Sequence, residues 1–243
     1  MAAATVPEFS PEARGFRFAN SFSSVPVATL TFPGIGQVPV GNAANGVCGG
    51  MVFAVADYFQ FRVPIPGAGE PPGETTALFK FIARRLIDSF DLPWGPARYF
   101  EWMALPDEDR SPLLGLVSRT RQECVAVRAA LDARRVVPLG LIRAHSTDIV
   151  DLGKNHQVLA YGYDFDESTG ELTLKLYDPN HPLQEVGLRC CLRSTEPLDL
   201  RYSTGEPTRG LFVSPYVAVN PTPGAPIRSP WNWFIRRMRA PLK

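Results

Sequence analysis

Cys48 is the cysteine whose neighbours in the sequence best suit nucleophilic chemistry. It directly precedes a stretch in which apolar residues recur at helical spacing, which places it in the first turn of a predicted helix. The positive end of a helix dipole lowers the pKa of a thiol and favours the nucleophilic thiolate. Gly46, Gly49 and Gly50 are expected to leave room for a substrate backbone beside the sulfur. The alternative is a small buried residue that packs where the helix begins.

His156 and Asp178 could form a catalytic triad with this cysteine. A histidine takes up and returns the proton of a nucleophilic thiol, and a carboxylate fixes the tautomer and orientation of the imidazole. His156 precedes the apolar run QVLAYGYD, and Asp178 ends the run ELTLKLYD, just before Pro179. The intervening DFDESTG predicts a hairpin, so both residues should lie at the same end of neighbouring strands.

Each member of this triad also has a purely structural interpretation. Taken alone, His156 suits a buried structural histidine, and the pair Asp178-Pro179 is a common turn opening. Asn180 lies two residues further on and could replace the aspartate as the partner of the histidine. The combination of cysteine, histidine and aspartate in this order, at a helix start and two strand ends, favours the catalytic interpretation.

The elements that must position these residues divide into a helical part and a sheet part. Ser118 is predicted to cap the last long helix, and residues 1–47, rich in Pro, Gly, Asn and Ser, should be mostly loop. Apolar periodicity predicts helices at about 49–61, 75–88, 96–104 and 119–134. Alternation predicts strands at about 136–142, 157–163, 171–177, 186–192 and 211–217, and extended pieces at 15–18 and 27–32. The expected fold class is therefore α+β, with helices at about 48–135 and an antiparallel sheet at about 136–217.

Composition limits the classes of partner. The chain has 25 Lys and Arg against 24 Asp and Glu, so no global charge attracts nucleic acid. No apolar run is long enough for a membrane span, and no signal peptide is recognisable, so a cytoplasmic protein is expected, with signal-independent secretion as the alternative. Residues 1–220 are predicted to form one domain, and 221–243 a Pro-rich, basic-aromatic tail. The tail should lie on the domain, or residues 229–243 contact a membrane surface or partner.

Cofactors are not expected. The three histidines and four cysteines have no metal-ligand spacing, and the GIG at 34–36 lacks the context of a phosphate loop. Cys190 and Cys191 are adjacent in a predicted strand, so their side chains should point to opposite faces rather than bond each other.

The motifs NHQVLAYGYD and VCGGMVFAVADYF resemble the histidine strand and the nucleophile helix of papain-like cysteine peptidases. The Asp-Pro after the next strand is most similar to the bacterial branch that includes the peptidase domains of bacteriocin exporters. This resemblance implies a papain-like fold, a helical lobe packed on a sheet lobe, with Cys48 as nucleophile, His156 as base and Asp178 as the orienting residue. An alternative alignment puts Met51 at the nucleophile position, which would give an inactive homologue.

The resemblance also implies a side-chain amide that helps to bind the oxyanion. Asn20 and Asn42 are the candidates, and Gln37 lies between them. The expected function is a cysteine hydrolase that cleaves or transfers at the amide bond of a peptide or protein substrate through a thioester. Two alternatives remain open, namely a catalytically silent papain-fold binding module and a secreted bacterial effector or toxin protease.

Overall fold

The computed structural model describes residues 1–22, 28–32, 36–40, 47–91, 94–193 and 197–222. The helices in these residues are α1 (Pro11–Arg14), α2 (Cys48–Gln60), α3 (Ala77–Ser89), α4 (Trp94–Ala104) and α5 (Leu116–Asp132), with a 3-10 helix at Ile149–Lys154. The strands are β1 (Ala2–Thr5), β2 (Ala28–Phe32), β3 (Gly36–Val40), β4 (Val137–Ile142), β5 (His156–Asp166), β6 (Glu171–Tyr177), β7 (Glu185–Cys191), β8 (Arg201–Tyr202) and β9 (Gly210–Val213). The expected α+β class is confirmed.

One antiparallel sheet carries the second half of the chain. Its strand order is β8-β7-β6-β5-β4-β9, and β1 adds to the far half of β5. The register of β5 against β6 shifts between Ala160 and Gly162. Strands β2 and β3 pair with each other in a separate two-stranded sheet. The predicted hairpin between β5 and β6 is present, and its turn ends at Gly170 with a φ of 75°, a value that favours glycine.

Strand β5 is the centre of this sheet, and its burial follows from its sequence. Residues 156–163 are buried without interruption, so the strand shows no alternation between a core face and a solvent face. Helices α2 and α5 both contact it, and a strand covered on both faces is expected to read as a continuous apolar run. His156, the first residue of β5, therefore begins inside the protein.

Helix α2 lies deeper than its sequence periodicity predicts. A single apolar face was expected, but every residue from 49 to 58 is buried, because α3 and β5 both pack against the helix. Gly50 permits the contact with α3, since a Cβ there would lie within 3.0 Å of the Ile82 carbonyl oxygen. Met51 is fully buried in the helix interior. The helix and its first residue are thus fixed by packing on two sides.

Three predicted helix details need correction. The helical spacing of apolar residues in 75–88 predicts that Ile87 lies on the inner face of α3, but Ile87 is 39% exposed. Helix α5 begins at Leu116, three residues before the predicted start, and Gly115 is its N-cap. Ser118 therefore lies inside the first turn, where its hydroxyl donates to Asp109 at 2.8 Å instead of capping the helix. The spacing of three and four residues in this helix predicts that Cys124, Val127 and Leu131 face inward, and all three are buried.

The N-terminal segment is more ordered than the predicted loop. Strand β1 and the short helix α1 were not predicted, and β1 pairs with β5 through contacts such as Ala4 with Tyr163. The predicted extended piece at 15–18 is not a strand, but Phe16 and Phe18 are buried and their rings stack at 4.9 Å. Residues 223–243, which include the predicted contact segment 229–243, lie outside the described residues. Within the described part of the chain, no helix is both long and apolar enough to cross a membrane.

Candidate active site

Cys48 is the first residue of α2, as the sequence predicts. Val47 is the N-cap and makes no side-chain capping bond, so its side chain does not occupy the first-turn N–H groups. The Cys48 thiol is half-buried, whereas Cys124 and Cys190 are buried in the core. A half-buried thiol at a helix start can meet a substrate while the helix dipole favours its thiolate.

His156 and Asp178 meet at one end of neighbouring strands, as the hairpin predicts. His156 opens β5, Asp178 directly follows β6, and Leu159 pairs with Tyr177 between them. The His156 Nε2 lies 2.7 Å from the Asp178 Oδ1, and the two side chains are 4% and 0% exposed. Such a hydrogen bond fixes the tautomer of the imidazole and leaves Nδ1 for a second partner.

The second partner of His156 is Cys48. The charge of the imidazole and the Gln157 backbone N–H both act on the Cys48 thiol, and both lower its pKa. Burial raises the pKa of the Cys48 thiol, but the charge and hydrogen bond of His156 outweigh burial, and the thiol pKa is lowered overall. Burial lowers the pKa of His156, but the negative charges of Cys48 and Asp178 raise it from 6.5 to about 9. Both shifts favour a thiolate paired with an imidazolium.

Asp178 keeps its charge although it is fully buried. Burial raises the pKa of its carboxyl, but the bond to His156 and further donors lower it to about 2. The Tyr202 hydroxyl donates to Oδ2 at 2.6 Å, and the Asn180 backbone N–H donates to Oδ1 at 2.8 Å. Hydrogen bonds that stabilise only the charged form lower a carboxyl pKa in this way.

The side chain of Asn180 does not replace Asp178, because it faces another residue. Its Oδ1 accepts from the Nδ2 of Asn20 at 3.2 Å, and the Asn20 backbone N–H donates to the Pro179 carbonyl at 2.9 Å. The Asn20 Oδ1 in turn accepts from the Val47 backbone N–H at 2.9 Å. Asn20 thus joins the turn after Asp178 to the residue before Cys48.

The other predicted contributors differ in outcome. Asn42 lies outside the described residues, and Gln37 lies in β3, where the backbone alone is described. Gly49 does not provide space for a substrate, because a Cβ there would lie within about 3.0 Å of the Ser89 and Gln157 side chains. Gly50 faces α3. Gly49 and Gly50 therefore allow close packing of the helix start. Gly46 lies outside the described residues.

Two aromatic residues at the site were not predicted from the sequence. Tyr99 of α4 is buried, and its hydroxyl donates to the His156 carbonyl at 3.4 Å. Burial and the nearby Cys48 charge raise the pKa of Tyr99 well above its usual range, so the phenol stays protonated. Tyr202 comes from the two-residue strand β8. No local pattern identifies either residue, since both reach the site through long-range packing.

The remaining titratable candidates lie apart from this cluster. The imidazole of His181 lies 3.1 Å from a Glu206 carboxylate oxygen. Among the described residues, no three or more His, Cys, Asp or Glu side chains form a group that could hold a metal ion. Cys190 is buried and Cys191 is half-buried, as expected for neighbours on opposite faces of a strand.

Comparison of the chain with protein-family models, curated proteins and solved structures gives no match. The resemblance to papain-like cysteine peptidases, which rests on short motifs, stays a prediction.

Proposed function

We propose that this chain is a cysteine hydrolase with a papain-like arrangement, which cleaves or transfers at an amide bond of a peptide or protein. The observation that carries the proposal is that a half-buried cysteine, a histidine and a buried carboxylate lie together at one site. His156 interacts with the Cys48 thiol and lowers its pKa, and the His156 Nε2 lies 2.7 Å from the Asp178 Oδ1. A thiol, a base and an orienting acid in contact are the parts that nucleophilic acyl transfer needs.

The chemistry follows from the charges of these three residues. The Cys48 thiolate attacks the carbonyl carbon, and the carbonyl oxygen takes up the negative charge of the tetrahedral intermediate. The His156 imidazolium then gives its proton to the leaving amine as the C–N bond breaks, which leaves a thioester on the sulfur. Water, or a second amine, attacks the thioester while the neutral imidazole accepts its proton, and the free thiol returns. Asp178 stays ionised throughout and stabilises the imidazolium.

Asn20 is the proposed side-chain donor to the oxyanion. Its Oδ1 is held by the Val47 N–H, one residue before Cys48, so the amide lies beside the start of α2. An amide nitrogen carries two hydrogens, and the bond from Nδ2 to Asn180 uses one of them. The second hydrogen and the Cys48 backbone N–H would together bind the oxyanion, as two donors do in other acyl-transfer sites.

Alkylation of Cys48 by iodoacetamide, located by mass spectrometry, tests the activated thiol. Cys191 is the matched internal control, because it is also half-buried but lies outside the cluster. An ordinary thiol is well under about 1% ionised at pH 6, so a thiolate-based Cys48 should react at least about 10-fold faster than Cys191. His156→Gln should remove most of that difference. Equal rates for the two cysteines in the wild type would refute the proposal and favour the binding module.

A further inference from the structure

We propose that Tyr202 is a positioning residue of the triad, whose phenol holds one oxygen of the Asp178 carboxylate so that the other faces His156. The Tyr202 hydroxyl donates to Oδ2 at 2.6 Å, and the His156 Nε2 lies 2.7 Å from Oδ1. This inference rests on the proposed function, because it gives Tyr202 a part in the same site. Two hydrogen bonds then link three side chains, those of His156, Asp178 and Tyr202.

The carboxylate depends on its protein donors because its side chain has no solvent-exposed surface. Asp178 is 0% exposed. Oδ1 has two donors, His156 and the Asn180 backbone N–H, whereas the Tyr202 phenol is the donor that contacts Oδ2 within the described part of the chain. A buried carboxylate oxygen without a donor is costly. Loss of the phenol would therefore let the carboxylate rotate toward other donors and loosen its hold on the imidazole.

The ring of Tyr202 is itself held from two directions. Tyr202 pairs with Leu188 of β7, and the Arg143 guanidinium carbon lies 5.4 Å from the ring centroid. The Nε and Nη2 of Arg143 are buried and have no hydrogen-bond partner among the described residues, where the ring face is a main contact of that cation. Arg143 follows β4, the strand that pairs with β5 at His156. The phenol is thus fixed relative to the sheet that carries the triad.

The charged and titratable groups around Asp178 determine in which direction its pKa moves when the Tyr202 hydroxyl is removed. His156 and Tyr202 contact the carboxylate directly, whereas Tyr177 interacts with it through its charge alone, and Cys48 lies beyond His156. Arg143 and Glu206 interact with the far side of Tyr202. A phenol donates to the carboxylate more strongly than to the neutral acid, so its removal must raise the proton affinity of Asp178.

Histidine NMR of the full chain can measure this change. The sequence has three histidines, so selective ¹⁵N-histidine labelling gives few signals, and His145→Gln and His181→Gln variants assign them. We expect the Nε2–H signal of His156, bonded to Asp178, to disappear in acid at a pH higher by roughly one unit or more in Tyr202→Phe than in the wild type. Phe keeps the ring and its contact with Arg143, so the effect isolates the hydroxyl.

Tyr163→Phe is the matched control. The Tyr163 hydroxyl also donates to a carboxylate, that of Asp132 at 2.8 Å, away from the triad. If Tyr202→Phe and Tyr163→Phe lose the His156 signal at the same pH, the positioning role of Tyr202 is rejected. Should Tyr202→Phe not fold, a ring-fluorinated tyrosine at position 202 replaces it. Its more acidic phenol donates more strongly, so the acid midpoint must move down, and an unchanged midpoint overturns the inference.

The outcome is separable from that of the proposed function. Iodoacetamide labelling of wild-type Cys48 tests the activated thiol and does not involve Tyr202. If Cys48 is activated but the pH at which the His156 signal disappears does not depend on the phenol, the proposed function is retained and the role of Tyr202 is rejected. If the midpoint shifts but Cys48 reacts as an ordinary thiol, Tyr202 holds the carboxylate of a structural His–Asp pair. In that case both the hydrolase proposal and the role of Tyr202 in catalysis are rejected.

Discussion

Arg85→Met should destabilise the protein strongly, because it breaks a buried ion pair between α3 and the helix that begins at Cys48. The Arg85 Nε lies 2.7 Å from the Asp57 Oδ2, and Nη2 donates to Oδ1 at 3.3 Å. The two side chains are 1% and 0% exposed. Because no solvent is available to either charge, each depends on the other.

Further contacts extend the pair to the segment after β9. The guanidinium also lies 2.7 Å from the Asp88 carboxylate and donates to the Val217 carbonyl at 2.9 Å. The carboxylate of the pair also accepts from the Tyr216 hydroxyl at 2.7 Å and from the Val219 backbone N–H at 2.9 Å. One cluster thus joins α2, α3 and residues 216–219.

The size of the effect follows from which charge remains unpaired. Arg85→Met leaves the Asp57 carboxylate buried with two neutral donors, which should cost about 3–5 kcal/mol of unfolding free energy. Asp57→Asn leaves the arginine with its other carboxylate and a carbonyl, and should cost about 1–3 kcal/mol. The double variant leaves neither Asp57 nor Arg85 as an unpaired charge, and Asp88 loses its arginine just as in Arg85→Met, so the cost should be smaller than the sum by at least about 1 kcal/mol.

Urea unfolding followed by circular dichroism measures all three variants. The control is Arg119→Met, which breaks the pair with Glu101, whose side chains are 26% and 54% exposed. An exposed pair of this kind should contribute less than about 1 kcal/mol. If Arg85→Met costs no more than the control, or the two single effects add to within about 0.5 kcal/mol, the reasoning about the buried pair is wrong.

The remaining predictions concern pH and packing. His156, with its pKa raised from 6.5 to about 9, adds to the free energy of unfolding. This stabilisation is fully present below pH 6.5 and is lost as the pH rises through 9. The contribution of Asp178, with its pKa lowered from 3.8 to about 2, is present above pH 3.8 and lost as the pH falls toward 2. The free energies of unfolding of wild type and His156→Gln, measured in urea, should therefore differ most between pH 3.8 and 6.5. A difference that does not change with pH would contradict the coupling between His156 and Asp178. Gly50→Ala should cost about 1–3 kcal/mol because its Cβ meets the Ile82 carbonyl, whereas Gly67→Ala meets nothing within 4 Å and should change stability by under about 0.5 kcal/mol; equal urea midpoints would refute this.

The sheet and the core of the site could be predicted because their signals are local. Apolar runs bounded by turn residues define β4 to β7, and the predicted range of β6, residues 171–177, is the observed one. A short hairpin then fixes which strand ends are neighbours, so the contact of His156 with Asp178 follows from the sequence. The position of Cys48 at a helix start is equally local.

Long-range contacts account for what could not be predicted. Strand β1 has four residues and exists because the far half of β5 has a free edge there. The Asn180 side chain suggests an alternative to Asp178, but its distance from Asn20 along the chain conceals that these two amides meet. Tyr202 lies in a strand of two residues, too short for any alternation to be visible.

Gly49, which follows the candidate nucleophile, allows close packing and does not leave space for a substrate. The sequence predicts that Gly49 gives a substrate access to the sulfur, but a Cβ there would contact Ser89 of α3 and Gln157 of β5. Gln157 directly follows His156, and its backbone N–H lowers the pKa of the Cys48 thiol. The first turn of α2 is therefore pressed against the second residue of β5, and this packing sets the separation of sulfur and imidazole. A larger residue at position 49 would move the helix start away from the strand, so the thiol would lose both the histidine and the N–H that stabilise its thiolate.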